Sequence, residues 1–465
     1  MVNWIDMLNR HGDKACLMLS SKTRMVTFSE LADLVARKLD AMKSIGLDSR
    51  SVVAFPARYT IESVCTLLSV AHMGAIAVPL PDASEQRIEK LLTIAMACGF
   101  LEDRPDGRIH FHPLIRTPAP PTHWCYEELR DRKHAGLVLF TSGSSGEPKA
   151  AVQDLHRLQQ RHQQPRSACN LLAFMQLDHI GGINTMLYSV CPGGMLVVPA
   201  SRSPHDVAAA IELHRVDVLP VSPTFLTLLL ISGALDQYDF SSLKRVTYGS
   251  EAMPQSVLKQ VAARLTHVQL LQTYGTTELG ILQSRSQDNQ SLWIQVGGGG
   301  LETKVLDGRL WVKAPTAMVG YLNAPFPLDE EGFMDTGDEV EVCGSWMRIL
   351  GRNGELINVG GTKISPTEVE SVLLEMPEVV EASVVGLKHP LVGQVVQATV
   401  RLQSEIPLAE FKIRMRSHCQ LRLPAEAIPA KLLLADTPMV TERFKRERNP
   451  NGRENRSPND NESSF

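Results

Sequence analysis

The sequence predicts an α/β protein: a large N-terminal domain of layered, mostly parallel sheets with a β-rich subdomain, then a small α+β C-terminal domain. Three observations carry that reading. Amphipathic helical runs alternate with short apolar runs over the first part of the chain. Hairpin signals take over after about residue 295, and a strand-and-helix pattern restarts beyond a Gly-Arg-Asn-Gly turn at 351–354.

Thr27-Phe28-Ser29-Glu30-Leu31 opens a helix with a Ser cap, and 75–80 reads as a buried strand. Residues 102–135 carry Pro105, Pro113, Pro118, Pro120 and Pro121 among charges, and are expected to form a surface connection with little regular structure. From Leu137 a pattern of short apolar strand, glycine turn and helix resumes, with strands at 137–140, 170–174, 195–198, 217–221, 245–248 and 268–271. The runs 303–306 and 310–313 flank Asp307-Gly308, a pair suited to a type I′ hairpin, and a further β-rich stretch covers 339–350. A helix at 366–376, strands at 379–386 and 394–402 and a helix at 407–419 complete the C-terminal unit. Residues 449–465 hold almost no apolar side chain and are expected to be disordered.

At 465 residues the chain is long enough for roughly two to four domains. With 43% apolar and 21% charged residues, wholesale disorder, collagen and coiled coil are excluded. A formal charge of −4 leaves no field to hold a polyanion over a large surface, so nucleic acid is not an expected partner. The 8 cysteines are scattered without a C-x-x-C pair and read as reduced, mostly buried thiols. Residues 1–6 lack a basic stretch followed by an apolar one, and no run approaches the about 20 apolar residues of a membrane span, so a soluble, cytoplasmic protein is expected.

Thr141-Ser142-Gly143-Ser144-Ser145-Gly146-Glu147-Pro148-Lys149 follows an apolar strand directly. Small hydroxyl and glycine residues let backbone amides close around phosphate oxygens, and Lys149 adds countercharge. G-x-x-x-x-G-K-[ST] cannot be fitted to it. The loop resembles the phosphate-binding signature of the adenylate-forming superfamily: acyl-CoA synthetases, adenylation domains of nonribosomal peptide synthesis, and luciferases. Five further motifs of that superfamily follow in order. Tyr248-Gly249-Ser250-Glu251-Ala252-Met253-Pro254 resembles its adenine-side loop, and Tyr274-Gly275-Thr276-Thr277-Glu278 its Y-G-x-T-E motif. The run from Gly308 to Tyr321 fits G-x-L-x-x-x-x-P-x-x-x-x-G-Y, and Asp335-Thr336-Gly337-Asp338 contains T-G-D. Gly351-Arg352 through Gly361, ending in Glu368-Val369-Glu370, resembles the hinge and first strand of a mobile C-terminal domain.

The resemblance covers about residues 25–448 and implies ATP-dependent activation of a carboxylic acid as acyl-adenylate, with ATP, Mg²⁺ and CoA or a phosphopantetheine arm as cofactors. It implies an adenylation core at 1–351, a hinge at 352–355 and a mobile domain at 356–448. By the same resemblance Glu278 is the magnesium-associated glutamate, Asp338 grips the ribose hydroxyls and Arg352 adds a ribose or phosphate contact. The catalytic lysine corresponds to Lys445 in Thr441-Glu442-Arg443-Phe444-Lys445. That match departs from P-x-T-x-x-G-K: Phe444 replaces glycine, Pro438 stands one residue too far upstream, and Arg443 and Arg446 crowd the lysine. Gly354 replaces the usual charged hinge residue, and Gly360-Gly361 match the loop that leaves room for a pantetheine arm.

Gln176-Leu177-Asp178-His179-Ile180-Gly181-Gly182 resembles the acyl-pocket motif, with His179 gating the carboxylate end and Asp178 adjacent, where amino-acid-activating relatives hold an ammonium group. The other residues assigned to the acid, Gly249, Thr273, Gly280 and Ile281, are small or apolar and bring no charge to match a second carboxylate. A neutral, medium-sized aromatic or alicyclic acid is therefore expected. The acceptor stays open among CoA, a carrier-protein thiol and an amine, and a silent nucleotide binder remains the alternative from another class.

Overall fold

The computed structural model describes residues 3–19, 24–103, 109–114, 122–142, 147–164, 166–326 and 328–439. Two seven-stranded sheets form the N-terminal domain. In the first, Val52–Pro56, Ile76–Leu80, Gly99–Asp103 and Gly136–Ser142 run parallel, and the antiparallel strands Ile109–Pro113 and Pro148–Asp154 flank them. In the second, Ala15–Leu19, Leu196–Val198, Leu171–Leu172, Val218–Val221, Arg245–Tyr248 and Gln269–Gln272 run parallel.

One apolar cluster joins the two sheets. It takes Phe55, Leu137 and Leu139 from the first and Leu17, Leu171 and Leu196 from the second, with Leu67 and Ile183 from helices Ile61–Met73 and Ile180–Val190 between them. Ten of the thirteen residues of Ile61–Met73 are buried, as a helix covered on several sides requires. On the other side of the first sheet, Val52, Ala54, Val78 and Val138 pack against Leu91, Leu92 and Tyr126. Both faces are covered, so these strands read as continuous apolar runs instead of alternating ones.

A six-stranded antiparallel sheet forms the β-rich subdomain. Its hairpin Glu302–Leu306 and Arg309–Lys313 turns at Asp307 (φ 51°) and Gly308 (φ 76°), the left-handed pair that a type I′ turn needs. The C-terminal domain is a five-stranded sheet in which Gly393–Leu402 pairs Val379–His389 and Lys431–Leu434, with helix Pro366–Leu373 packed against it. Ser256 and Ser371 exchange hydrogen bonds across the two domains, 2.9 Å from N–H to Oγ and 2.8 Å from hydroxyl to carbonyl. Lys363 also reaches Glu339 at 2.5 Å, and Arg348 reaches Glu368 at 3.3 Å.

Three expectations are corrected. The helix Phe28–Ser44 is capped by Thr27, not by Ser29: Thr27 Oγ1 accepts from the Glu30 N–H at 3.2 Å, and Glu30 returns a bond to the Thr27 N–H at 2.8 Å. Thr-x-x-Glu is a capping box, which places Ser29 inside the first turn. Residues 102–135 contain the strand Ile109–Pro113 and the helix Trp124–Asp131. That strand satisfies the free edge of Gly99–Asp103, and its Pro113 sits at the strand end, where an N–H is dispensable. The strand Gly136–Ser142 is followed by an antiparallel partner, Pro148–Asp154, and not by a helix, so the strand, turn and helix pattern fails at its first step.

Replacing Thr27 by Ala should lower the unfolding free energy by about 1 kcal/mol, read from urea denaturation.

Candidate active site

The motif 274–278 leaves the C-terminal end of the parallel strand Gln269–Gln272, the end at which α/β sheets bind ligands. Gly275–Thr276 folds back on Gly280–Ile281, which places Thr277 and Glu278 in the connecting turn. The buried Gln153 holds this turn by donating to the Thr277 carbonyl at 2.5 Å and the Glu278 carbonyl at 3.2 Å, and the Met318 N–H adds a bond of 2.7 Å to the latter. The Glu278 carboxylate accepts from the Tyr321 hydroxyl at 2.5 Å. Burial, and then the charge of Glu278, push the Tyr321 phenol well up, so it stays a donor. Lys149 Nζ lies 5.6 Å from the centre of the Tyr321 ring, and Lys149 pairs with Thr141 across the hairpin. Thr141, Lys149, Tyr321 and Glu278 are thus brought together. Gly143, Ser144, Ser145, Gly146, the Ser142 side chain and Lys445 lie outside the described residues.

Tyr274 binds the other carboxylate of the site. Its hydroxyl donates to Asp338 Oδ2 at 2.6 Å, and Arg352, opposite in the ladder, places Nε 3.6 Å from Oδ1. Burial pushes the Asp338 carboxyl up, opposed by the Tyr274 bond and the Arg352 charge. Gly337, at φ 72°, takes the left-handed backbone that glycine favours, and the Thr336 hydroxyl accepts from the Asp338 N–H at 3.2 Å.

In the loop 248–254, a Cβ at Gly249 would lie 2.6 Å from the Thr273 carbonyl oxygen, so glycine is required there. Ser250 has φ 69°. Glu251 accepts from the Thr224 hydroxyl at 2.6 Å and its N–H at 3.3 Å, which ties the loop to helix Pro223–Ile231. Thr273 donates its hydroxyl to the Tyr248 carbonyl at 3.2 Å.

His179 is the N-cap of helix Ile180–Val190, its Nδ1 accepting from the Gly181 N–H at 3.0 Å. It and Asp178 are partly exposed. Their segment is pinned by Tyr59, which donates its N–H to Gln176 at 3.0 Å and its hydroxyl to the Gly182 carbonyl at 2.5 Å.

A cleft of about 990 Å³ opens beside the site. Of the residues assigned to the acid, Thr273 and Ile281 line it, whereas Asp178, His179, Gly249 and Gly280 do not. Its walls also hold Arg157, Arg161, Arg166 and Arg245, which the sequence reading did not connect with the acid. Only the fold brings 157–166 opposite 273–281, and no motif marks them. Among the described residues no group of three His, Cys, Asp or Glu side chains is placed to hold a metal by itself. A Mg²⁺ ion shared with phosphate oxygens needs only one or two carboxylates, and Glu278 suits that role.

The AMP-binding enzyme family model matches residues 6–322, and that of the AMP-binding enzyme C-terminal domain matches residues 368–445. The chain belongs to the AMP-binding enzyme family. It is an adenylate-forming enzyme, most like the ligases that join an acyl or aryl acid to CoA. It is 28% identical over 456 residues to indoleacetate–CoA ligase of Aromatoleum aromaticum, covering 85% of this chain and 87% of that one. The fold is shared with an anthranilate CoA ligase in complex with anthranoyl-AMP at a TM-score of 0.82, with 20% identity over 96% of both chains. It is shared also with an amide bond synthetase of Marinactinospora thermotolerans at a TM-score of 0.73, with 22% identity over 96% of this chain and 97% of that one. No helix among the described residues is long and apolar enough to cross a membrane.

Exchanging Gln153 for Met should deprive the Thr277 carbonyl of its side-chain donor and cost about 1–3 kcal/mol, visible as a lower urea midpoint.

Proposed function

We propose that the protein attacks ATP with a carboxylic acid of aryl or alicyclic size, releases pyrophosphate, and passes the acyl group from the adenylate to the thiol of CoA with release of AMP. The observation that carries the site assignment is the motif 274–278: it presents Glu278 at one end and holds Asp338 through Tyr274 at the other. Two carboxylates so placed suit the two ends of a nucleotide. Glu278 would hold Mg²⁺, which neutralises charge on the phosphate oxygens. Asp338 and Arg352 would receive the ribose hydroxyls, and Thr141, Lys149 and the hydroxyl and glycine residues of 142–146 the phosphates. Gly249, Ser250, Glu251 and Gly275 shape the adenine side, where Glu251 acts by holding the loop.

Lys445 stabilises the charge passing between carboxylate and α-phosphate, a role for a compact cation. The turn 352–355 is the hinge of the mobile domain. The Asn353 N–H donates to the Gly337 carbonyl at 2.9 Å, so the turn is tied to the T-G-D motif. A carrier-protein thiol is the second acceptor in this reading, and the fold is common to thiol and amide ligases. The cytoplasm is the proposed location, in keeping with eight free cysteines.

Pyrophosphate release from Mg-ATP across a panel of acids, with and without CoA, tests the reading. Release with one class of acid, and a thioester formed only with CoA, is expected, whereas bound ATP without release for any acid would sink it. Lys445→Ala should lower acid activation by about 10²–10³-fold while ATP still binds. Asp338→Ala should weaken nucleotide binding by about 10–100-fold. In the wild type that affinity should fall on acidification, beginning above the usual aspartate range because burial raises the Asp338 carboxyl. In Asp338→Asn it should not change with pH in that range.

A further inference from the structure

The cleft beside the site has basic walls and no acidic one. Arg157, Arg161, Arg166 and Arg245 line it, and no Asp or Glu does. Arg157 lies 3.6 Å from Asp154, but no carboxylate among the described residues pairs with Arg161, Arg166 or Arg245. Arg166 is set rigidly. Its guanidinium stacks 3.7 Å from the centre of the Tyr188 ring and donates from Nη2 to His162 Nδ1 and to the Tyr188 carbonyl, both at 3.0 Å. Its Nε is buried without a partner. His162 is buried, and desolvation together with Arg166 and Arg161 pushes it down to about 3, so it accepts from Arg166 as a neutral ring. Arg161 is partly buried and close enough to Arg166 for their charges to oppose each other.

Two like charges partly withdrawn from water with no counterion carry a cost, which an arriving anion lowers. The planar fork of Arg161 can meet a carboxylate in a bidentate manner, and Arg166, with Nη2 engaged and Nε buried, offers it Nη1. Thr273 and Ile281, assigned to the acid, line the same cleft, while Glu278, Lys149 and Tyr321 do not. We propose that the cleft receives the far end of an acid substrate that carries a second anionic group, a carboxylate, bound by Arg161 and Arg166. The substrate class is then a dicarboxylic acid, in place of the neutral acid expected from the small residues around 249 and 273–281. The inference rests on the adenylation reading above.

The test is pyrophosphate release without CoA, using α,ω-dicarboxylates of four to ten carbons and aryl dicarboxylates, each against its own monomethyl ester. At least one diacid should exceed its ester in kcat/KM by about tenfold or more. Arg161→Gln and Arg166→Gln should bring that ratio toward one, and Arg161→Lys should keep part of it. Equal use of diacid and ester across the panel overturns the proposal, because that comparison needs no variant to fold. A ratio unchanged in both Gln variants, with a raised KM for CoA in the complete reaction, also overturns it and gives the cleft to the phosphates of CoA. If no acid releases pyrophosphate, the adenylation reading fails separately, and titration calorimetry with the same pairs decides the cleft. Tighter diacid binding that is lost in Arg161→Gln supports the assignment, and equal binding removes it.

Discussion

Two phenol-to-carboxylate hydrogen bonds hold the site together, and each joins elements from different sheets. Tyr274, at the end of the second sheet, donates to Asp338 of the antiparallel subdomain. Tyr321, on the edge strand of the first sheet, donates to Glu278 in the turn that follows Tyr274. A segment of five residues therefore ties three sheets to one point. The donors are buried phenols and the acceptors carboxylates, so these are charge-assisted bonds in a low-dielectric setting, stronger than neutral ones. Two glycines of the region serve the same convergence: Gly249 lets the backbone approach Thr273 where a Cβ would clash, and Gly337 supplies the left-handed turn before Asp338.

The C-terminal domain is set on this core by few contacts of mixed kind. The Ser256 and Ser371 pair is buried, whereas Lys363 to Glu339 and Arg348 to Glu368 are partly solvated. Partly solvated ion pairs contribute little net free energy, so these two add little to the hold on the domain. A shared apolar patch, with Val257 and Val261 on one side and Val369 and Leu373 on the other, provides the rest. Contacts of this mixed polar and apolar kind resemble transient interfaces, which are more polar than obligate ones.

The basic cleft shows how charge can be hidden from a motif-based reading. Arg161 and Arg166 stand on an irregular stretch after the helix Leu155–Gln160, far in sequence from 273–281, and nothing in their spacing signals a ligand. Their meaning comes from burial, from the missing countercharge and from the Tyr188 ring that orients one of them.

The sequence by itself determined the local devices: the Asp307-Gly308 turn, the apolar runs of the parallel strands, and the residue types of the motif 274–278, because each depends on neighbours in the chain. It also singled out Asp338 and Glu278 as candidates, by their places within ordered motifs. Tertiary structure alone decided that Ile109–Pro113 covers an edge, that Pro148–Asp154 pairs back on Gly136–Ser142, and that Gln153 and Tyr321 hold Glu278 in place. It also gave His179 a capping role and set four arginines in one cleft with Thr273. In each case the deciding partner lies many residues away, and a contact of that range comes from strand pairing and burial, which no local pattern encodes.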